Sequence, residues 1–326
     1  MKLFARRMIG VKQETTQNSF VAPDTAAFVA AHDFTVKPVV EQLSTRVVAA
    51  TLGSPANVTG KESVDIDIKL WGKGSGTNGT KYAPFDALMG ACGFSGSQSG
   101  SGSITYSPLN TAPSVSQSGP CITTSVSGEY DGVTHNIAGV AGTMKWVLEA
   151  AKKWEIEFSG KGRVSSSGST MQALAVDASI SASAYSNTVK EPILQNVSFL
   201  VNGYQLTIDK FEIDFGADVQ MIDDINAPHG NGGFTIVDRK PVGSFQALMT
   251  NVAQHDFFGN LESNTVMSGS VTVGTVAGNT YVMNFASLMY SNVQYANKNG
   301  FIAVNATLKF NDDPNSTTPW MTVVAS

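Results

Sequence analysis

Four histidines, two cysteines and two closely spaced acid pairs are the residues of this chain whose types could do chemistry. His32, His135, His229 and His255 show no H-x-x-x-H or H-x-x-E spacing, so a zinc site would have to be assembled from distant segments. Asp223-Asp224 with His229 is the one place where acids and an imidazole cluster, in a Pro/Gly-rich loop that suits solvent or an interface. Cys92 and Cys121 are too few for a disulfide framework, and Cys92 sits in an apolar helical stretch, so both read as free structural thiols. Gly74-Ser-Gly-Thr-Asn-Gly79 has the letters of a dinucleotide loop. Tyr82-Ala-Pro84 intervenes before the next helix, however, and Ser99 stands where the fingerprint needs an acid. Gly60-Lys61 is followed by Glu62 and preceded by a glycine only at Gly53, which does not make a phosphate loop. Gly96-Ser-Gln-Ser-Gly100 has the letters of a serine-nucleophile turn inside low-complexity sequence. The expectation is no catalytic, cofactor-binding or metal site, no cofactor, and no enzyme.

The acid pairs are Asp65 with Asp67 and Glu155 with Glu157. Residues two apart on a strand point the same way, so such pairs usually mark a solvated face and not general acid and base work. Val64, Ile66, Ile68 and Leu70 alternate with Asp65, Asp67, Lys69 and Trp71, the period of a strand with one apolar face.

The elements that carry these residues are mainly β, and their layout occurs twice. In the first half an alternation from Phe34 runs through Val58-Thr-Gly-Lys61 into Val64–Trp71. Thr134–Met144 then leads into Trp154–Phe158. In the second half Phe211–Phe215 runs to Val237–Lys240 and Gly243–Leu248, and Tyr281–Tyr290 leads into Phe301–Phe310. The closing strands are offset by about 150 positions, and such self-similarity changes the fold expected. The chain divides into an arm (1–33), a first β unit (34–162), a Ser/Ala/Gly-rich linker (163–196) and a second β unit with a C-terminal tail (197–326). Pro84–Cys92 reads as a short helix, with Val252–Asn260 as its counterpart. Asp131-Gly132 signals a hairpin, and Ser95–Ser103 reads as a loop.

At 326 residues, two such units could each bury a core. Charged residues make up 14% against a usual level of about 25%, and Ser, Thr, Asn and 31 Gly take their place. Charge depletion is what buried interfaces show. The net charge is −5 without a basic stripe, which argues against a grip on nucleic acid. No signal peptide and no membrane helix is expected, and the glycosylation-like triplets at Asn57, Asn78, Asn196, Asn305 and Asn315 read as chance.

In order and spacing the chain resembles the major tail proteins, or tail tube proteins, of long flexible-tailed bacteriophages. The matching pieces are Glu14-Thr-Thr16, Pro23–Ala27, Leu52-Gly53, Gly60-Lys61 with Val64–Trp71, and Gly72–Gly76. They continue with Ala87–Phe94, Asp131-Gly132, Gly139–Gly142, Phe158–Gly160, Val237–Pro241 and Gly243-Ser244. Two places depart from the pattern: Gln17-Asn18-Ser19, where an aromatic and a glycine are expected, and the long Gly160–Glu191 linker. The resemblance implies two tandem β-sandwich units of tail-tube type, each with a short flanking helix, in a structural virion protein. That protein would polymerise as stacked rings into a tail tube for DNA delivery. Its partners would be copies of itself, tail tip and terminator proteins, and a tape measure protein in the lumen. DNA would pass transiently without specific binding or membrane insertion. Assembly would take place in the host cytoplasm and the mature location would be the virion tail. Two units per chain imply a homotrimeric ring of pseudo-sixfold symmetry. Asp65 and Asp67 are the candidate channel lining, and the Gly72–Lys81 and Gly160–Val189 loops are expected to be mobile until stacking orders them. The alternative is a β-rich capsid decoration protein or host-surface adhesin.

Overall fold

The computed structural model describes residues 7–29, 31–45, 56–99, 102–131, 133–164, 189–312 and 319–326. The protein is mainly β, with two short helices among the described residues. The first half holds β1 (Arg7–Gln13), β2 (Phe28–Val29), β3 (Ala31–Leu43), β4 (Val58–Trp71), α1 (Ala83–Ala91), β5 (Phe94–Ser99), β6 (Ser103–Pro108), β7 (Thr124–Tyr130), β8 (Val133–Glu149) and β9 (Glu155–Val164). The second half holds β10 (Ser198–Val201), β11 (Tyr204–Gln205), β12 (Ile208–Asp214), β13 (Ala217–Asp223), β14 (Asn231–Arg239), β15 (Val242–Leu248), α2 (Phe257–Glu262), β16 (Met267–Val273), β17 (Tyr281–Lys298), β18 (Phe301–Phe310) and β19 (Met321–Ala325).

Local sequence accounts for the elements. In β4 the alternating Val64, Ile66, Ile68 and Leu70 are all buried. Pro84 opens α1, where a missing N–H is harmless. Gly93 stops the helix at φ +79°, and a Cβ there would meet the Arg239 guanidinium and the Pro120 carbonyl. The second helix starts later than the expected Val252, because Asp256 caps it by accepting from the Gly259 N–H at 2.8 Å. β8 runs unbroken from Val133 to Glu149, beyond the expected Thr134–Met144. Gly139 and Gly142 do not break it, and the register instead shifts between Ala138 and Ala141 as a bulge.

The order of pairing repeats. In the first half β1 pairs with β2 and β7, β7 with β8, β8 with β9, β9 with β4, and β4 with β3. In the second half β10 pairs with β11 and β16, β16 with β17, β17 with β18, β18 with β15, and β15 with β12. This is the same walk strand for strand, with α1 and α2 at the same step. The first half adds β5–β6 after its helix, and the second adds the β13–β14 hairpin between β12 and β15.

Several expectations need correction. Residues 7–29 are not a separate arm, since β1 pairs with β7 along its whole length. Ser95–Ser99 is strand, paired with β6. Residues 163 and 164 complete β9, Ile193 bridges Lys153, and 165–188 lie outside the described residues. The C-terminal β19 inserts between β6 and β17, fastening the two halves together. Nor does each half bury a core of its own. Phe85 of α1 packs on Trp146, Trp154 and Tyr106 and equally on Tyr281 of the second half, with ring centroids 5.1–6.0 Å apart. The loop after β4 is likewise packed: Gly72 lies under the Trp154 ring, and Gly76 donates to the Gly278 carbonyl at 2.9 Å.

Candidate functional site

The halves join edge to edge. β8 pairs with β12 from Lys145↔Asp214 to Glu149↔Lys210, which makes one continuous row β3-β4-β9-β8-β12-β15-β18-β17. One face of this row is apolar and closed by the other strands: Phe211 and Phe245 pack on Phe199 of β10, and Phe34 packs on Tyr130 of β7.

The opposite face is polar, and its charges alternate. Asp33, Lys69, Glu157, Lys145 and Asp214 stand next to one another across five strands. A shallow groove of about 430 Å³ runs over them and Asp67. Lys145 Nζ lies 2.9 Å from Glu212, which also pairs with Lys210, and Lys69 pairs with Glu157. The Glu157 hydrogen bond holds the Lys69 ammonium above its ordinary pKa. Burial pushes the Glu212 carboxyl up, but hydrogen bonds from Lys210 and Lys145 outweigh it and leave the group below its usual range. Exposed pairs of this kind contribute about 0–1 kcal/mol each. Their effect is on the surface field, which they neutralise.

Asp65 and Asp67 both lie on this face. Asp65 stands between Lys37 and Lys161, and Asp67 between Thr35 and Ser159. The face is therefore not the uniformly acidic surface expected of a lining that repels phosphate, because its acids are interleaved with lysines.

The other candidates stay apart. His32 stacks on Trp71, His135 meets Tyr130, His229 lies 3.5 Å from Glu62, and buried His255 shares a 2.7 Å hydrogen bond with the Tyr290 hydroxyl. Asp223 accepts from Lys61 at 2.7 Å, and Asp224 accepts from the Asn226 N–H at 2.9 Å. Among the described residues, no three of His, Cys, Asp and Glu come together as metal ligands would. Cys92 and Cys121 are buried free thiols whose pKa values burial pushes up. Gly74 faces the backbone of Gly278 and Asn279 and accommodates that close approach instead of a phosphate.

One polar cluster lies outside the candidate site residues, although Glu14 opens the first matching piece of the resemblance. Glu14 is 2% exposed. Its carboxylate accepts from Thr123 Oγ1 and Ser125 Oγ at 2.7 Å, from the Gly139 N–H at 2.8 Å and from the Asn18 N–H at 2.9 Å. Next to it, Gln17 donates to the Phe234 carbonyl at 3.0 Å and Asn18 to the Gly232 carbonyl at 2.8 Å. The residues that depart from the tail-tube pattern thus hold the β13–β14 hairpin against the first half, an insertion whose Phe234 and Ile236 pack on Cys121 and Ala141.

No protein-family model matches the chain, and no curated protein sequence matches it significantly. Among the described residues no helix is long and apolar enough to cross a membrane.

Proposed function

We propose that this chain is a tail tube protein of a long-tailed bacteriophage, built as two tandem β-sandwich units, and that it polymerises as stacked rings around a channel for DNA. The observation that carries this reading is the repeated pairing order joined edge to edge at β8–β12. A unit that adds its sheet to a second unit of the same pairing order has the geometry of a ring segment, and a head-to-tail contact that closes makes a ring. Closure also removes the exposed sheet edges that otherwise invite uncontrolled pairing.

Three copies bring six units to each ring, a homotrimer of pseudo-sixfold symmetry. The polar face holding Asp65 and Asp67 lines the channel. Its alternating charges give DNA phosphates no run of cations to bind, so genome ejection proceeds past it without specific contact. The role is structural and not enzymatic, in the virion tail, with tail tip and terminator proteins capping the tube and a tape measure protein inside it. Electron microscopy of the concentrated protein, with and without tail-tip seeds, tests this: rings or tubes are expected. A chain that stays monomeric under both conditions overturns the reading and reopens the decoration or adhesin alternative.

A further inference from the structure

We propose that Gln294–Lys298 of β17 pairs antiparallel with Asp33–Lys37 of β3 in a second copy of this chain, in the register that β8 and β12 use within one copy. This rests on the tube-subunit reading and adds to it the partner edges and their alignment. β3 and the distal part of β17 end the eight-strand row on opposite sides. Among the described strands, β3 pairs only with β4, and residues 289–298 pair only with β18. No described strand covers either edge, and on β3 side chains do. The Tyr130 hydroxyl accepts from the Val36 N–H at 3.1 Å and Arg7 Nη1 donates to the Phe34 carbonyl at 3.1 Å, contacts that an incoming strand would replace.

The register follows from the repeat. β3 has an extra residue between Ala31 and Asp33, and β12 has one between Ile208 and Lys210, at the same step of the walk. Superposing these bulges sets Phe34 on Phe211, Asp33 on Lys210 and Lys37 on Asp214. The partner strands then carry Lys69 onto Gln246, Glu157 onto Asn305 and Lys145 onto Gln294. The internal joint pairs Lys145 with Asp214 and Glu149 with Lys210. Its counterpart between copies pairs Gln294 with Lys37, Tyr295 with Val36, Ala296 with Thr35, Asn297 with Phe34 and Lys298 with Asp33.

Three features fit that alignment. Glu149 faces Lys210 inside the chain, and Lys298 would face Asp33 between copies, so the charges are opposite at both joints. Tyr295, 67% exposed, would gain a neighbour in Val36. The proposed run ends before Pro38, which has no N–H to give. The internal bond that falls there, Phe215 N–H to the Met144 carbonyl at 2.9 Å, is the one without a counterpart.

The test is oxidation of the full-length Thr35→Cys/Ala296→Cys double variant after assembly. The native cysteines are buried. Opposed residues of an antiparallel pair have Cα atoms about 4.5–5.5 Å apart, within disulfide reach. Covalent multimers are expected from this pair and from Lys37→Cys/Gln294→Cys, the second reading of the same register should the first variant fold poorly. Thr35→Cys/Asn292→Cys, out of register by about 13 Å, should not link. Tubes that form normally while neither matched pair links, or while the mismatched pair links as well, overturn the edge assignment and leave the tube reading standing. Wild-type protein that stays monomeric even with isolated tail tubes as seeds overturns the tube reading itself.

Discussion

Replacing Gly74 by Ala should open the seam between the loop after β4 and the loop before β17. A Cβ at Gly74 would lie 2.0 Å from the Gly278 carbonyl oxygen and 2.8 Å from the Asn279 Cα. Both are backbone atoms, so no side chain can rotate away and the loops must separate. Separation breaks Gly74 N–H to Asn279 Oδ1 at 2.6 Å, Gly76 N–H to the Gly278 carbonyl at 2.9 Å and Gly278 N–H to Asn78 Oδ1 at 2.9 Å. At about 1 kcal/mol for each hydrogen bond the loss is about 3 kcal/mol. Gly60→Ala is the control, because its Cβ would meet chiefly the end of the Glu41 side chain, which can move, and should cost at most about 0.5 kcal/mol. Urea unfolding gives the magnitudes, and hydrogen exchange locates them at 72–79 and 274–279. A Gly74→Ala cost under about 1 kcal/mol, or exchange in the wild type as fast as in the variant, would refute the packed seam and restore a mobile loop.

Glu14→Gln should destabilise the chain by about 2 kcal/mol, since the amide NH2 cannot accept and would face donors among Thr123, Ser125, Gly139 and Asn18, leaving buried groups unpaired at about 1–3 kcal/mol each. Burial raises the Glu14 pKa above its unfolded value, so its charged form costs stability at high pH, and the cost disappears as pH falls through the folded value towards about 4.5. Wild type should gain on the variant over that window, and the opposite trend would contradict the assignment. Trp146→Ala should cost about 3–5 kcal/mol and leave a single unfolding transition, because Trp146 lies in the aromatic cluster shared by both halves. Two separate calorimetric transitions would refute the shared core. Asp67→Lys should leave tubes intact while particles built from it eject DNA poorly. Asp65→Lys is the less clean variant, because it would set three lysines side by side with Lys37 and Lys161. If Asp67 proves reactive to modification from outside an intact tube, the lining assignment fails.

The strands and their duplication were legible because period-two alternation survives in Val64–Leu70 and Phe211–Phe215, and because Pro84 and Gly93 bracket the first helix. The lead-in was not, since Arg7–Gln13 is a short strand whose pairing partner, β7, lies more than 100 residues away. Low-complexity Ser95–Ser99 read as loop because the β partner that orders it, β6, supplies the apolar Ile104 and Tyr106. The expected Tyr281–Tyr290 stopped short of the full β17, whose end at Lys298 the unread Asn299-Gly300 would have marked, with φ values of 52° and 87° that are those of a two-residue hairpin turn. Asn202-Gly203 marks β10–β11 in the same way. Of the site, the Asp65 and Asp67 face was legible from alternation. The interleaved lysines were not, because register across β3, β4, β9, β8 and β12 is set by tertiary pairing and not by any one segment.

The central claim, that each chain supplies two equivalent segments of a ring, is tested most directly by averaged end-on electron micrographs of the assembled wild-type protein combined with native mass spectrometry. Three chains per ring, with six similar lobes around one channel, is the predicted result. Six chains per ring, which would leave the second half peripheral, or particles with no channel, would contradict it.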